Sequence, residues 1–398
     1  MASQDITPVG RDSAKASLLY DPKFRGYIFQ AVTVLVIAGL VYWIVNNTIA
    51  NLQRANLASG FGFLDGRAGF DISSSPYLSY TSDSTFIKAL SVGILNTLTV
   101  AVVGIITATI IGFIVGIGRL SHNWLIRKLC TVYVEVFRNI PPLLVIFFWY
   151  LGVLSVLPQA RESIKLPFST FLNNRGLFFP APVFGEGAWL AAAGLVAGIV
   201  GTFLVRRWAY KRQMATGQQF PVGLTALGLI LGLPLLALIV KGFPISFDYP
   251  VLGAFNLRGG TLIGPEFMSL YLALSFYTAS FIAEIVRAGI RGVGKGQSEA
   301  SHALGLRAGP TTRLVVVPQA MRIIIPPLTS QYLNLTKNSS LAVAIGYPDL
   351  VAVGGTILNQ TGRSIEVVAI WMVVYLSISL LTSIFMNWVN AKMALVER

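Results

Sequence analysis

The chain has 398 residues, of which 54% are hydrophobic and only 12% are charged. Soluble domains usually carry about 25% charged residues, so this composition predicts a protein whose solvent is the lipid bilayer. The formal net charge of +14 would suit nucleic acid, but the basic residues form short clusters between apolar runs. That placement is typical of membrane topology and argues against nucleic acid as a partner.

Eight apolar runs are long enough to cross the bilayer, which takes about 20 mostly apolar residues. The predicted spans are 27–45, 89–118, 129–157, 188–205, 221–240, 267–290, 323–345 and 367–389. Residues 1–26 lack the basic region and cleavage site of a secretory signal, so we expect the first span to be retained. The first, fourth and fifth spans have few polar residues inside and are expected to be peripheral helices that face lipid.

The distribution of Lys and Arg predicts which side of the membrane each loop faces. If both termini are cytoplasmic, that side receives most of the basic residues, including the cluster Arg206, Arg207, Lys211 and Arg212. The outer loops, 46–88 and 158–187, are then the longer ones. Each could dock an extracytoplasmic protein or be an ordinary solvated connector.

Cysteine and histidine supply no evident chemical site. Cys130 is the only cysteine, which excludes an internal disulfide, and we expect it to pack as a small apolar residue. His122 and His302 lie in separate polar loops and give no metal-binding set. We therefore expect no metal site, and no span carries a catalytic constellation.

A polar segment with small side chains interrupts the apolar runs of the second half. Ser298 is expected to cap a short helix, and Glu299 suits the positive end of its dipole. Gly305 is expected to end the helix because glycine tolerates positive φ. One face of this helix would carry Ala300, Ala303 and Leu304. Such a helix could fit the groove of a partner or lie on the membrane surface.

Charged residues inside or beside the spans are candidates for gating or for lining a pathway. Glu135 and Arg138 are three residues apart on one helix and are expected to pair, as are Glu284 and Arg287. Structural pairing near the interface and a direct substrate role both remain open for these residues. Next to the first pair, Pro141 and Pro142 remove backbone donors and predict a kink or a helix end. The predicted candidates are Glu135, Arg138, Glu284, Arg287, Lys337 and Asn338.

Lys337 lies deep within an apolar run, with no carboxylate near it in sequence. It could extend its ammonium group to the interface, pair with a carboxylate of another helix, or face the pathway.

The segment Gly289 to Gly296 imitates a phosphate-binding loop. Gly296 stands where Ser or Thr should bind Mg²⁺, and an apolar span precedes the segment instead of a strand. We expect no ATP binding by this chain.

The polar segment resembles the coupling-loop signature of binding-protein-dependent ABC importer permeases. The match comprises Glu299, Ala300, Ser301 in place of a second Ala, Gly305, and the aliphatic pair before Pro318. In that family the loop inserts into the ATP-hydrolysing subunit, which implies a coupling role for Glu299, Ala300, Ser301, Ala303, Leu304, Gly305 and Pro318.

Two further segments resemble the polar amino-acid subgroup of these permeases. The stretch that begins at Tyr133 is similar to Tyr-Val-Glu-x-Phe-Arg-x-x-Pro. The stretch from Phe281 to Arg287 resembles the segment Tyr-Thr-Ala-Glu-Ile-Val-Arg that precedes the coupling loop in the same subgroup. The subgroup often has Lys-Asp-Thr-Ser-Leu where this chain has Asn338 after Lys337.

This resemblance implies an all-α, polytopic type I importer permease with a five-helix core plus extra helices, in the bacterial inner membrane. The implied partners are a second related permease, a cytoplasmic ABC ATPase dimer that uses ATP and Mg²⁺, a periplasmic amino-acid-binding protein and the lipid bilayer. An ion-coupled secondary transporter of amino acids is the alternative; it would need related halves with broken helices.

The corresponding division assigns a role to every segment of the chain. Residues 1–26 and 391–398 are predicted cytoplasmic tails, and 27–83 are an extra span with an outer loop. The permease core is predicted in 84–157 and 267–390, with the coupling loop at 291–322 and an inserted hairpin of two spans at 158–266.

Overall fold

The computed structural model describes residues 22–54, 60–253 and 256–393. The predicted tails therefore lie mostly outside the described residues. The described part is mainly helical, and its helices are α1 (Pro22–Arg54), α2 (Phe86–Gly118), α3 (Trp124–Asn139), α4 (Pro142–Phe147), α5 (Trp189–Thr216), α6 (Val222–Val240), α7 (Pro265–Arg291), α8 (Lys295–Ala303), α9 (Ala308–Thr311), α10 (Val317–Asn338), α11 (Leu350–Thr361) and α12 (Ser364–Met393). Within these residues, six helices can cross a membrane by length and composition, or up to eight if each of two bent pairs is one span. The prediction of a polytopic helical membrane protein is confirmed.

Helix α2 is the centre of the core because its glycines let other helices approach its backbone closely. A Cβ at Gly116 would lie 2.7 Å from the carbonyl oxygen of Ala283 in α7, and one at Gly93 would lie 3.0 Å from the Cα of Leu350 in α11. The main apolar cluster joins α2 to α4, α7 and α10 through buried residues such as Val100, Ile146, Leu274, Ile282 and Leu335.

A second cluster closes the opposite end of the core. It joins the start of α2 to α11 and α12 through Leu90, Leu350, Val353, Ile357 and Val367. The buried amide of Asn96 donates to the carbonyl oxygens of Ser74, at 2.8 Å, and Pro348, at 2.9 Å. The loop before α2 is thereby attached to the turn before α11.

The predicted third span, 129–157, is not one straight helix. Helix α3 ends at Asn139, and α4 begins at Pro142 and continues as a π-helical turn to Leu154 at an angle of 111° to α3. The predicted break at Pro141 and Pro142 is confirmed, since neither proline can donate the backbone hydrogen bond that a continuous helix needs there.

The predicted seventh span is also bent. A π-helical turn (Thr312–Val316) leads into α10, and a 3₁₀ turn (Ser339–Ile345) follows it. Gly346 then takes a positive φ of 75°, and the chain continues into α11 at an angle of 52°. Helix α11 was not among the predicted spans because it has only 12 residues.

The extra helices lie outside this core. No residue of α6 is buried, and only Gly198 and Ala209 are buried in α5. The two helices pack on each other at glycines: a Cβ at Gly194 would lie 3.0 Å from the backbone of Leu233. Helix α1 is exposed along its apolar part, with none of its most apolar window buried.

Residues 158–266 contain short strands, which the prediction of an all-α chain omitted. They are β1 (Ile164–Leu166), β2 (Thr170–Asn173), β3 (Gly176–Phe179), β4 (Ala181–Phe184), β5 (Ile245–Asp248), β6 (Val251–Leu252), β7 (Leu257–Arg258) and β8 (Thr261–Ile263). The largest sheet is antiparallel, in the order β1-β2-β3-β8, with Phe178 opposite Leu262. It connects the chain before α5 to the chain that enters α7.

Candidate functional site

The loop between α7 and α10 contains the predicted short helix, α8. Gly294 is its N-cap, with φ −58° and ψ 136°, so the predicted cap at Ser298 is wrong. The helix begins at Lys295, three residues before Ser298. Its end agrees with the prediction: Gly305 has φ +79°, and its N–H donates to the carbonyl oxygen of His302 at 2.9 Å.

One side of α8 is exposed and its other side is attached to α10. The exposed residues of the predicted coupling set are Glu299, Ala300, Ala303 and Leu304, the last with 82% of its surface exposed. Ser301 is buried and donates to the carbonyl oxygen of Gln297 at 2.7 Å. The side chain of Gln319 donates to Gln297 at 3.2 Å, next to Pro318 in the first turn of α10. The exposed side is therefore free to contact another protein while α8 stays attached to the core.

A cluster of four charged side chains joins three helices at the end of α7 from which the chain continues to α8. We call Arg119, Glu135, Glu284 and Arg287 the charge cluster. Glu284 forms ion pairs with Arg287, as predicted, and with Arg119, the C-cap residue of α2. Arg119 also lies 3.6 Å from Glu135 of α3. Glu284 therefore has two cationic partners, one on its own helix and one from α2.

Burial differs strongly among the members of the charge cluster. The Arg119 side chain is 9% exposed, whereas the Glu135 side chain is 57% exposed. Glu284 and Arg287 lie between these extremes, at 25% and 24%. A charge removed from water needs a partner more than an exposed one does, so the Arg119–Glu284 pair is the central contact.

The predicted pair of Glu135 and Arg138 does not form. The guanidinium of Arg138 lies over the ring of Phe281, 5.5 Å from its centroid, and Glu135 is directed to Arg119 instead. Three residues correspond to about 300° of helix rotation, so a neighbouring helix decides whether such side chains meet. Here α2 supplies the cation for Glu135, and α7 supplies an aromatic face for Arg138.

Lys337 and Asn338 lie near the end of α10 and are not joined to the charge cluster. The side chain of Lys337 is exposed, and among the described residues the structure gives it neither an ion pair nor a hydrogen bond. Asn338 is half-buried at the start of the 3₁₀ turn. No group of three or more His, Cys, Asp or Glu side chains in the described part of the chain could hold a metal ion.

Residues 108–395 match the family described as the binding-protein-dependent transport system inner membrane component. The chain belongs to this family. The match covers the charge cluster, α8 and α10, and it includes the inserted α5–α6 hairpin.

Relatives of similar length share this permease sequence throughout. The general L-amino acid transport system permease protein AapQ of Rhizobium johnstonii is 68% identical over 99% of this chain and 98% of its own. The putative amino-acid ABC transporter permease protein YhdX of Escherichia coli is 48% identical over 98% of this chain and 99% of its own. The glutamate/glutamine/aspartate/asparagine transport system permease protein BztB of Rhodobacter capsulatus is 43% identical, with 96% of each chain covered.

Arg119 was not among the site residues predicted for this permease from its sequence. The residue directly follows the apolar run of α2, where a single arginine is usual as a topology signal. Its partner Glu284 is 165 residues away, so no local spacing indicated the pair. The sequence contains no signal for the pair, since Glu135 and Glu284 each have an arginine three residues later on the same helix.

Proposed function

We propose that this chain is the translocating permease subunit of an ATP-driven, binding-protein-dependent importer of L-amino acids of polar or broad specificity. The proposal is supported by relatives named for such transport that match nearly the whole chain. The structural observation that carries the coupling role is the exposed side of α8, held next to α10. The subunit transports and does not itself catalyse a reaction.

The coupling step starts at α8. One set of residues makes the contact with a cytoplasmic ATPase subunit and attaches α8 to α10. These residues are Glu299, Ala300, Ser301, Ala303, Leu304, Gly305 and Pro318. The ATPase dimer uses ATP and Mg²⁺, and this chain binds neither. Because Ala300 and Ala303 are small, the backbone of α8 can approach a groove closely, and the apolar Leu304 supplies buried area once it is covered.

Movement of α8 reaches the spans through covalent and ionic links. Helix α8 follows α7 after only three residues, Gly292 to Gly294. Through Glu284, α7 is paired with Arg119 of α2, and Arg119 contacts Glu135 of α3. A displacement of α8 is thus transmitted to three spans, as alternating access requires. The gating or pathway residues of this proposal are Glu284, Arg287, Glu135, Arg138, Lys337 and Asn338.

The remaining partners follow the family pattern. A second related permease completes the translocation core, and a periplasmic amino-acid-binding protein delivers the substrate on the outer side. The chain lies in a bacterial inner membrane with both termini in the cytoplasm, because this orientation gives the cytoplasmic loops most of the Lys and Arg.

The test is ATP-driven uptake of amino acids by the assembled importer in proteoliposomes, with and without the binding protein. Glu299→Ala and Leu304→Asp should abolish uptake and the stimulation of ATP hydrolysis by the binding protein. Both residues are exposed, so the variants should still fold and assemble. Lys128→Gln removes an exposed charge of α3, on the predicted cytoplasmic side and outside α8, and is the control that should leave uptake unchanged. Normal uptake by both α8 variants, or uptake driven by an ion gradient without the ATPase, would contradict the proposal.

A further inference from the structure

The α5–α6 hairpin has a cavity that the coupling mechanism does not use. The cavity has a volume of about 480 Å³ and lies where α5 ends and the chain turns back into α6. Its lining residues are Phe203, Arg206, Arg207, Ala209, Tyr210, Gln213, Phe220 and Val222. Positions 203, 206, 210 and 213 are three or four residues apart, so they follow one face of α5.

Within the part of the chain that the structure describes, the cations of this cavity have no anionic partner. Between Gly187 and Phe247 the sequence contains neither Asp nor Glu. Among the described residues, the ion pairs of the chain do not involve Arg206 or Arg207. Arg212, by contrast, is engaged: it lies 5.4 Å from the centroid of Trp208 and donates to Gln218 at 2.9 Å. Two arginines are therefore available to a ligand.

The lining combines these charges with apolar and aromatic surface. Phe203 and Val222 lie toward the apolar part of the hairpin, while Tyr210 and Gln213 lie toward its polar end. The position of Phe220 is fixed by an edge-to-face contact with Trp208, with centroids 5.3 Å apart. Because α5 has 28 residues, it is about 42 Å long and extends beyond the hydrocarbon core, which is about 30 Å thick. Its basic end is then at the level of the lipid headgroups.

We propose that this cavity binds an anionic phospholipid, with Arg206 and Arg207 on the headgroup phosphate and Phe203 and Val222 against the upper acyl chain. A basic site between helices at the membrane interface suits an anionic headgroup. Arginine also presents several donors in a plane that matches phosphate oxygens. The excess of Lys and Arg in cytoplasmic loops accounts for the presence of basic residues at this end of α5. It does not require those residues to line a cavity together with aromatic side chains. The proposal depends only on the membrane location of the hairpin.

The test is native mass spectrometry of the importer released from nanodiscs of phosphatidylcholine mixed with phosphatidylglycerol. The intact complex should retain phosphatidylglycerol selectively. Arg206→Gln and Arg207→Gln should each lower this retention about fivefold, since a cation near an anionic surface contributes about 1 kcal/mol. Lys211→Gln removes the same charge from the same end of α5 without changing the lining, and should leave retention unchanged.

Three outcomes would overturn the proposal. Equal loss of lipid in Lys211→Gln would indicate a general effect of charge. Displacement of phosphatidylglycerol from the unchanged protein by inorganic phosphate, but not by chloride at the same ionic strength, would indicate a site for free phosphate. In a Cys130→Ser background, the thiol of Arg206→Cys can be labelled with a maleimide. Weaker labelling when the second permease is present, in lipid of either composition, would show that a protein covers the cavity.

Discussion

Arg119 and Glu284 form an ion pair across 165 residues of sequence and connect the end of α2 to α7. The Arg119 side chain is 9% exposed and also reaches Glu135 of α3. This arginine is therefore the point where three spans of the core meet, at the end of α7 that leads to α8. The stability of the core and its coupling should both depend on it.

Arg119→Gln should lower the free energy of unfolding by about 1.5–3 kcal/mol, the range for losing a hydrogen bond to a charged group. The loss is limited because Glu284 keeps Arg287 as a partner. Unfolding in mixed micelles measures the change. Lys128→Gln, an exposed cation on α3, is the control and should change the same quantity by less than about 0.5 kcal/mol. Equal values for the two variants would show that the ion pair contributes nothing.

The two glutamates of the charge cluster should differ in their effects. Glu284→Gln leaves Arg119 and Arg287 close together without their shared carboxylate and should cost about 3 kcal/mol, as for a broken buried pair. Glu135 is 57% exposed and 3.6 Å from Arg119, so Glu135→Gln should cost less than about 1 kcal/mol. The same unfolding assay compares them. A larger effect of Glu135→Gln would mean that α3, and not α7, supplies the main partner of Arg119.

The sequence predicts the membrane spans well where length and hydropathy alone decide whether a helix can cross the bilayer. It also predicts the break at Pro141 and Pro142, because the cause is the missing donor in those residues themselves. Gly305 at the end of α8 is a similar case, since its φ of +79° is a local property.

Features that depend on distant partners were not predictable in the same way. Glu135 is directed to Arg119 of α2, whereas Arg138 lies over Phe281 of α7, so partners on other helices and not the spacing within α3 decide these contacts. The strands of residues 158–266 are only two to four residues long, which is too short for an alternating pattern to be recognised. The partner of β3 is β8, which follows the α5–α6 hairpin in the sequence, so the pairing has no local signal either.

The close contact of α2 with α7 gives a test of the fold itself. Gly116→Ala places a methyl group 2.7 Å from the Ala283 carbonyl oxygen and should cost about 1–3 kcal/mol through overpacking. Gly228→Ala is the control, because a Cβ at this position of α6 has no neighbour within 4 Å and alanine favours a helix. Thermal unfolding in detergent should show a lower midpoint only for Gly116→Ala. An unchanged midpoint would mean that the two helices can separate without cost.

The proposed orientation makes a prediction about access from each side of the membrane. In a Cys130→Ser background, and in cells that lack the ATPase subunit proposed to cover α8, Ala300→Cys should react with a membrane-impermeant maleimide only after the cells are opened. Glu186→Cys, at a residue that is also exposed in the structure, should react in intact cells. Labelling of Ala300→Cys from outside would place α8 on the wrong side for an ATPase and would invert the topology.

Lys337 should affect transport without affecting stability. Its ammonium group is exposed and has no partner among the described residues, so Lys337→Gln removes no contact of the folded chain. The unfolding free energy should therefore stay within about 0.5 kcal/mol of its original value. If the charge faces the pathway, the rate of ATP-driven uptake should fall, while the basal ATPase activity of the assembled importer stays the same. Lys241→Gln, an exposed lysine of the peripheral hairpin, should alter neither. Normal uptake by Lys337→Gln would remove Lys337 from the pathway and leave its ammonium group as a solvated charge at the membrane interface.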